Sequence, residues 1–188
     1  MQGVIGIDEV GRGCWAGPLL VVAAKANKQL PDGLTDSKKL SKNQRQKLYP
    51  EIVTSCDLGE GWVQPEEIDS YGLARAMRLG VSRALMALGV GTEDEIIMDG
   101  LINYCPEEFV NVKTVVRADA SHPVVSAASV YAKVTRDAHM VRIAKYHPFY
   151  GFENHVGYGT AFHEAALRIH GVSKLHRKSF KPVKAFLI

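Results

Sequence analysis

Short apolar runs alternate with longer periodic segments along the chain, and this alternation predicts an α/β domain. The predicted strands are rich in β-branched and other apolar residues and lie at 4–7, 19–24, 55–63, 95–98 and 112–116, of which 55–63 is the weakest. Turn-forming residues 11–18 separate the first two strands. Because strands come first and helices are interleaved later, we expect a mixed β-sheet flanked by helices, followed by a small C-terminal helical extension.

Helical periodicity and capping residues predict four helices. They are placed at about 42–53, 65–88, 121–146 and 160–171. Ser41 and Gln44 form a capping box, in which the side chain of each residue accepts a hydrogen bond from the backbone amide of the other. Pro65 suits the first turn of the second helix, and Thr160 and Gly171 mark the start and end of the last one.

Composition and length are those of one folded domain. The chain has 188 residues, of which 46% are hydrophobic and 23% charged, and this balance argues against disorder. The apolar stretch 14–24 contains Gly17 and Pro18 and is shorter than the ~20 residues that a membrane span needs. We therefore expect no membrane segment.

Cysteine usage and the N-terminal residues favour the cytoplasm. Three widely spaced cysteines form neither a disulfide framework nor a structural zinc site. Asp8 and Glu9 stand where a secretory signal would need an apolar run. A cytoplasmic protein, monomeric in the simplest case, is the expectation.

Charge is distributed unevenly along the chain. The net charge is +4 over residues 1–50, −9 over 51–111 and +8 over 112–188. Residues 168–188 contain six basic residues and no acidic one. This asymmetry indicates a polyanionic partner at the two ends of the chain, although basic residues that merely solvate a helix and a tail would give the same pattern.

Acidic residues follow three of the predicted strands. Asp8 and Glu9 end the first strand, Asp99 ends the strand at 95–98, and Asp119 comes just after the strand at 112–116. If these strands are neighbours, the carboxylates converge, and they repel one another unless hard cations such as Mg²⁺ or Mn²⁺ neutralise them. Each acid taken alone has a structural explanation as a turn cap. The spacing alone does not make the strands adjacent.

Six segments, in order, resemble the motifs of the ribonuclease HII family. They are residues 6–13 (GIDEVGRG), 36–40 (DSKKL), 98–100 (MDG), 117–119 with 126–137 (RAD and SAASVYAKVTRD), 157–160 (GYGT) and 176–180 (HRKSF). Together they cover almost the whole chain, which makes a chance match improbable. The resemblance implies an RNase H-like catalytic domain over 1–150 with a C-terminal helical extension over 151–188 packed on it.

The same resemblance implies a metal-dependent endonuclease. Such an enzyme cuts the RNA of RNA–DNA hybrids and cuts 5′ of single ribonucleotides in duplex DNA, and it leaves 5′-phosphate and 3′-hydroxyl ends. The residues implied as ligands of two Mg²⁺ or Mn²⁺ ions are Asp8, Glu9, Asp99 and Asp119. Asp137 ends a helical motif, and we expect it to be structural and paired with a nearby basic side chain.

Substrate contacts are also implied by the resemblance. Gly11, Arg12 and Gly13 would clamp the 2′-hydroxyl that separates RNA from DNA, because glycines let the backbone approach a sugar closely. Tyr158 would lie on the sugar of the nucleotide after the ribonucleotide. Lys38 and Lys39 would contact backbone phosphates of the nucleic acid. Arg45, Arg177 and Lys178 would extend this row of phosphate contacts.

Two other functions are compatible with clustered acids. One is a transposase or junction resolvase with an RNase H-like fold, which would not need a Gly-Arg-Gly segment paired with a downstream Gly-Tyr-Gly. The other is a nucleic-acid-binding module whose acids only cap strands. No histidine has zinc-type spacing: His163 and His170 are interpreted as one helix face, and His176 receives no chemical role.

Overall fold

The computed structural model describes residues 3–35, 37 and 39–187, and a five-stranded mixed sheet lies at its centre. The strands are β1 (Ile5–Val10), β2 (Leu19–Ala26), β3 (Cys56–Val63), β4 (Ile96–Asp99) and β5 (Val112–Val115). Their order across the sheet is β3-β2-β1-β4-β5. β2 is antiparallel to both β1 and β3, whereas β1, β4 and β5 are parallel. The carboxyl ends of β1 and β4 therefore meet at the centre of the sheet.

Seven α-helices lie around the sheet in the part of the chain that the structure describes. They are α1 (Lys42–Ser55), α2 (Pro65–Tyr71), α3 (Leu73–Leu88), α4 (Pro123–Ala144), α5 (Phe152–His155), α6 (Ala161–His170) and α7 (Lys181–Lys184), and a 3-10 turn spans Ala118–Ala120. The capping box of α1 is confirmed, since the Ser41 amide donates to Gln44 Oε1 at 2.8 Å and the Gln44 amide to Ser41 Oγ at 3.3 Å. None of the helices within the described residues is both long and apolar enough to cross a membrane.

Each face of the sheet is covered by helices. On one face Ile5 and Ile7 of β1 pack in a buried cluster with Met77 and Val81 of α3. On the other face Val10 and Ile97 pack with α4, whose small residues at 127, 128 and 132 are fully buried. Burial of one large aliphatic side chain contributes about 1.5–3 kcal/mol, so the two clusters hold β1 and β4 in place from both sides.

The C-terminal segment packs on α4 and on the loop between β1 and β2. Phe152 and Leu167 form a buried cluster with Met140 of α4. The Arg177 amide donates to the Trp15 carbonyl at 2.8 Å, and an isolated β-bridge joins Ala16 to His176. The segment after α4 thus lies directly against the loop that carries the Gly-Arg-Gly motif.

The predicted helices differ from the structure in three ways. The helix predicted over 65–88 divides at Gly72, whose φ of +76° is incompatible with a continuous helix. The long helix begins at Pro123, with His122 as its N-cap, and ends at Ala144. The short helices α5 and α7 and the 3-10 turn were not predicted, because elements of three or four residues carry no measurable periodicity.

Candidate active site

Asp8 and Asp99 lie side by side on the two central parallel strands. The pairing of β1 with β4 runs to Ile7 opposite Met98, so the next residues along, Asp8 and Asp99, are adjacent. Because side chains alternate along a strand, both carboxylates lie on the face that packs against α4, as Val10 and Ile97 do. The adjacency that the sequence left open is therefore present for these two acids.

Three of the four predicted acids line one cleft. Asp8, Glu9 and Asp99 share it with the Gly-Arg-Gly loop, two serines and Tyr158, and its volume is about 330 Å³. The Glu9 amide donates to Asp8 Oδ1 at 2.7 Å, and Glu9 Oε1 lies 3.7 Å from Arg12 Nη1. The structure thus brings Asp8, Asp99 and Tyr158, which lie far apart along the chain, to one place.

Asp119 lies beside the cleft without lining it. It is buried in the 3-10 turn Ala118–Ala120. The turn is fixed to Asp99, because the Ala118 amide donates to Asp99 Oδ1 at 2.7 Å. Asp119 therefore follows directly after Ala118, whose amide is hydrogen-bonded to the cleft residue Asp99. Unlike the other three acids, Asp119 lies in a turn and not in a strand.

Burial and like charge act strongly on Asp8. Desolvation, together with the nearby Glu9 and Asp99, raises the pKa of Asp8 to about 8, although a hydrogen bond from Ser129 lowers it. The cleft therefore favours an added positive charge, which a proton or a cation can supply. An all-oxygen set of carboxylates suits a hard divalent cation. Within residues 3–35, 37 and 39–187, however, no group of three or more His, Cys, Asp or Glu residues is arranged to hold a metal ion.

The Gly-Arg-Gly loop has one buried and two exposed residues. Gly11 has a φ of +84°, and a Cβ at this position would overlap the guanidinium of Arg136. Arg12 is exposed, and its Nη2 lies 3.4 Å from the Tyr104 hydroxyl. Gly13 is exposed, with open space where a Cβ would lie. Gly11 is thus required by the fold, whereas Gly13 is not.

Two fully buried arginines fix this loop, and sequence analysis missed both roles. Arg136 donates to the carbonyls of Pro18, Val156 and Ala16 at 2.7, 2.9 and 3.2 Å. Arg177 donates to Gly17 O and, at 2.9 Å, to Arg12 O. Burial lowers the pKa of Arg177 to about 10. The prediction that Arg177 contacts phosphate is wrong, because its guanidinium is buried and bonded to backbone.

Tyr158 lies on the rim of the cleft in a glycine-flanked loop. Its side chain is 37% exposed, and Lys133 Nζ lies 5.4 Å from the centre of its ring. The loop is pressed onto residues 15 and 16: a Cβ on Gly157 would overlap the Ala16 carbonyl, and one on Gly159 the Trp15 ring. Burial raises the pKa of Tyr158 to about 12, so its hydroxyl stays protonated at neutral pH.

Of the other residues predicted to contact phosphates, one lines the cleft and another does not. Arg45 lines the cleft, and its Nη1 donates to the carbonyls of Ser37, at 2.8 Å, and Leu40. Lys39 is exposed and is not part of the cleft lining, and Lys38 lies outside the described residues. Asp137 is paired with Lys133 at 3.0 Å, which confirms its predicted structural pairing.

The sequence analysis assigned no site role to Lys133 or to the histidines that the structure buries. Lys133 lines the cleft, and its spacing of four from Ser129, another lining residue, is the signal that could have found it. His163 is fully buried, and its Nδ1 lies 2.9 Å from the Tyr158 carbonyl. His163 and His170, interpreted as one helix face, therefore lie in different environments, because His170 at the end of α6 is exposed.

Comparison with known proteins gives the family of this chain. A sequence profile described as Ribonuclease HII matches residues 5–183. The chain belongs to the ribonuclease HII family. It is therefore a nuclease, and membership of this family implies RNase H activity on RNA–DNA hybrids.

Individual relatives cover nearly the whole chain. A Ribonuclease HII of Coxiella burnetii is 40% identical over 183 residues, which are 96% of this chain and 89% of the relative. The structure of the PCNA:RNase HII complex from Archaeoglobus fulgidus superposes with a TM-score of 0.79 at 26% identity, covering 95% of both chains. Bst-RNase HIII in complex with Mn²⁺ matches with a TM-score of 0.72 at 19% identity, over 97% of this chain and 68% of that one, which shows the shared fold. The predicted ribonuclease H fold is confirmed.

Proposed function

We propose that this ribonuclease HII family member hydrolyses RNA in RNA–DNA hybrids and cuts 5′ of single ribonucleotides embedded in duplex DNA. The products would carry 5′-phosphate and 3′-hydroxyl ends. One observation carries the proposal: three carboxylates, the Gly-Arg-Gly loop and Tyr158 line the same cleft. Groups for phosphodiester hydrolysis and for recognition of a ribose are thus available to one nucleotide.

Two divalent ions, Mg²⁺ or Mn²⁺, would be held by Asp8, Glu9, Asp99 and Asp119. The raised pKa of Asp8 supports this, since a site that disfavours its own negative charge is one that a cation stabilises. When bound, such ions activate the attacking water and stabilise charge on the departing 3′ oxygen. Bst-RNase HIII, which has the same fold, was solved with Mn²⁺.

The Gly-Arg-Gly loop would distinguish ribose from deoxyribose. Gly13 has open space around its Cα, so a sugar can approach the backbone there without meeting a side chain. Arg12 is exposed beside Glu9, where its guanidinium can contact the adjoining phosphate. The 2′-hydroxyl both donates and accepts, and the backbone amides and carbonyls of the loop can pair with it.

Tyr158 would test the nucleotide after the ribonucleotide. Its ring is partly exposed on the cleft rim, and its hydroxyl remains a donor at neutral pH because its pKa is about 12. A deoxyribose at this position can pack against the ring, whereas a 2′-hydroxyl adds a polar group to the contact. The enzyme would therefore favour RNA-to-DNA junctions.

We propose a cytoplasmic monomer that acts on ribonucleotides left in DNA by replication, with the catalytic domain over 1–150 and the extension over 151–188. A binding module without catalysis would not need three carboxylates in the cleft that receives the nucleic acid, because carboxylates repel the phosphates that such a module binds.

A single substrate tests the proposal. The protein is incubated with duplex DNA containing one ribonucleotide, with Mg²⁺, with Mn²⁺ or with EDTA, and the cut is mapped at nucleotide resolution. We expect cutting 5′ of the ribonucleotide with either ion and none in EDTA. The all-DNA duplex is the matched control. Binding without cutting under every metal condition would favour a binding module, and equal cutting of the all-DNA duplex would favour a resolvase-type nuclease.

A further inference from the structure

A basic groove lies between α1 and α4, next to the active-site cleft. Its volume is about 370 Å³, and we call it the α1–α4 groove. It is lined by Lys42, Arg45, Gln46, Val134, Asp137, Ala138, Val141, Arg142 and Lys145. Four of these nine residues are cationic and one is acidic, so the groove favours an anionic occupant.

Two side chains that could offset the positive charge of the groove do not do so. Its acidic residue, Asp137, is paired with Lys133 at 3.0 Å. Arg142 Nη2 lies 3.2 Å from Nδ1 of His139, and the pKa of His139 is lowered by burial, so this partner is neutral at physiological pH. Lys42 and Lys145 are exposed at the two sides of the groove. An extended anion can therefore meet several cations at once.

The groove is continuous with the cleft. Arg45 lines both of them, and its Nη1 is fixed to the carbonyls of the loop that carries Ser37. Along α4, Lys133 faces the cleft and Lys145 lies twelve residues further on. At the rise of an α-helix this is about 18 Å. Duplex nucleic acid rises about 3.4 Å per base pair, so the same distance spans about five base pairs.

We propose that the α1–α4 groove holds the sugar–phosphate backbone of the duplex arm that leaves the active-site cleft. This inference rests on the proposed function and adds a second region of substrate contact to it. Arg142 and Lys145 would pair with phosphates, while Val134 and Val141 offer an apolar floor to the sugars between them. Because such contacts read no bases, they add affinity without sequence preference.

A series of duplex lengths tests the groove. Duplexes with one ribonucleotide and arms of about 3 or about 12 base pairs on either side are titrated in EDTA, and Kd is measured by fluorescence anisotropy. We expect the wild-type protein to bind more tightly when one of the two duplex arms is lengthened past about five base pairs. The double variant Arg142→Gln/Lys145→Gln loses this gain, and its slope of log Kd against log salt falls by about two on the long duplex. On the short duplex the variant binds as the wild type does.

The matched control removes the same charge elsewhere. Arg75→Gln/Arg78→Gln changes two exposed arginines of α3, on the opposite face of the sheet, and keeps the full length dependence. Equal gains for wild type and groove variant, or no gain for the wild type, would overturn the groove proposal. If the groove variant lost binding of a labelled polyglutamate peptide in the same anisotropy assay while its DNA binding was unchanged, the groove proposal would also be overturned, in favour of an acidic protein segment. Failure of the proposed function is distinct, because the wild type would then cut no ribonucleotide-containing duplex.

Discussion

The imidazoles of His163 and His176 are fully buried, and their Nε2 atoms lie 3.0 Å apart. The Ser173 amide donates to Nδ1 of His176 at 3.0 Å, so the proton of that ring is on Nε2 and points to His163. His163 then carries its proton on Nδ1 and donates to the Tyr158 carbonyl at 2.9 Å. Two neutral rings thus connect the C-terminal segment to the loop that presents Tyr158.

This pair makes stability depend on acid pH. Burial lowers the pKa of each imidazole from 6.5 to about 4. Above about pH 7 the rings are neutral in both the folded and the unfolded chain and contribute nothing to the pH dependence. As pH falls from 6.5 to 4, the unfolded chain binds protons first, so the free energy of unfolding falls, and below 4 the loss is complete. For one ring the loss is about 3 kcal/mol.

Urea unfolding at pH 7 and pH 5 measures this effect. His176→Gln keeps an acceptor for Ser173 and a donor for His163, so we expect a folded protein whose stability falls less between the two pH values. His170→Gln changes the exposed histidine at the end of α6 and should behave as the wild type. Identical pH dependence for all three proteins would refute the neutral pair.

The two glycines of the Gly-Arg-Gly loop should respond differently to alanine. Gly11→Ala forces a methyl group into the Arg136 guanidinium at a φ of +84°, and we expect a loss of about 2 kcal/mol or more in stability. Gly13→Ala meets open space, so stability should change by less than about 0.5 kcal/mol. If the loop approaches the ribose closely, Gly13→Ala nevertheless lowers cutting. Thermal unfolding beside cleavage rates separates the two effects, and full activity of Gly13→Ala would argue against close approach.

Arg177 should behave as a structural residue. Arg177→Met leaves the carbonyls of Gly17 and Arg12 without their buried donor, which costs about 3 kcal/mol or more. Lys178→Gln alters the exposed neighbouring cation and should leave stability unchanged. Chemical denaturation and salt titrations of DNA binding are the measurements. If Arg177→Met were stable and the slope of log Kd against log salt fell by about one, the result would support a contact between Arg177 and phosphate instead.

Tyr158 should matter more for junctions than for continuous hybrids. Tyr158→Ala removes both the ring and the donor from the cleft rim, and we expect cutting at a lone ribonucleotide to fall about tenfold more than cutting of a long hybrid, a difference of about 1.4 kcal/mol. Tyr158→Phe separates the hydroxyl from the ring. Tyr71→Ala, a substitution of an exposed tyrosine at the end of α2, is the control. Equal losses on both substrates would rule out junction sensing.

The strands were predicted best where apolar side chains form a continuous pattern, and least well where glycines interrupt that pattern. The strand at 55–63 was the least certain because Gly59 and Gly61 interrupt its apolar alternation. In the fold both are needed for the close approach of α3, since a Cβ on Gly61 would overlap the Gly80 carbonyl. The division of the second helix at Gly72 was missed because Ile68 and Met77 pack in the same cluster on both sides of the break.

The site was predictable only as far as its motifs are local. Asp8, Glu9 and Asp99 stand at strand ends, and strand order brings them together. The roles of Arg136 and Arg177 depend on carbonyls more than 100 positions away, which no local pattern shows. The position of Asp119 beside the cleft likewise involves a contact distant in sequence, the hydrogen bond from the Ala118 amide to Asp99.

The most direct test of the account compares cutting and binding by Asp8→Asn. The substitution keeps the shape of the side chain and removes its ability to ionise, so the fold and the hybrid contacts should persist. With Mg²⁺ we expect the rate of cutting at a single ribonucleotide to fall by at least about 10³-fold, while Kd for the hybrid in EDTA stays within about threefold of the wild type. Asp99→Asn and Asp119→Asn should give the same result. Cutting by Asp8→Asn at the wild-type rate would contradict the central claim.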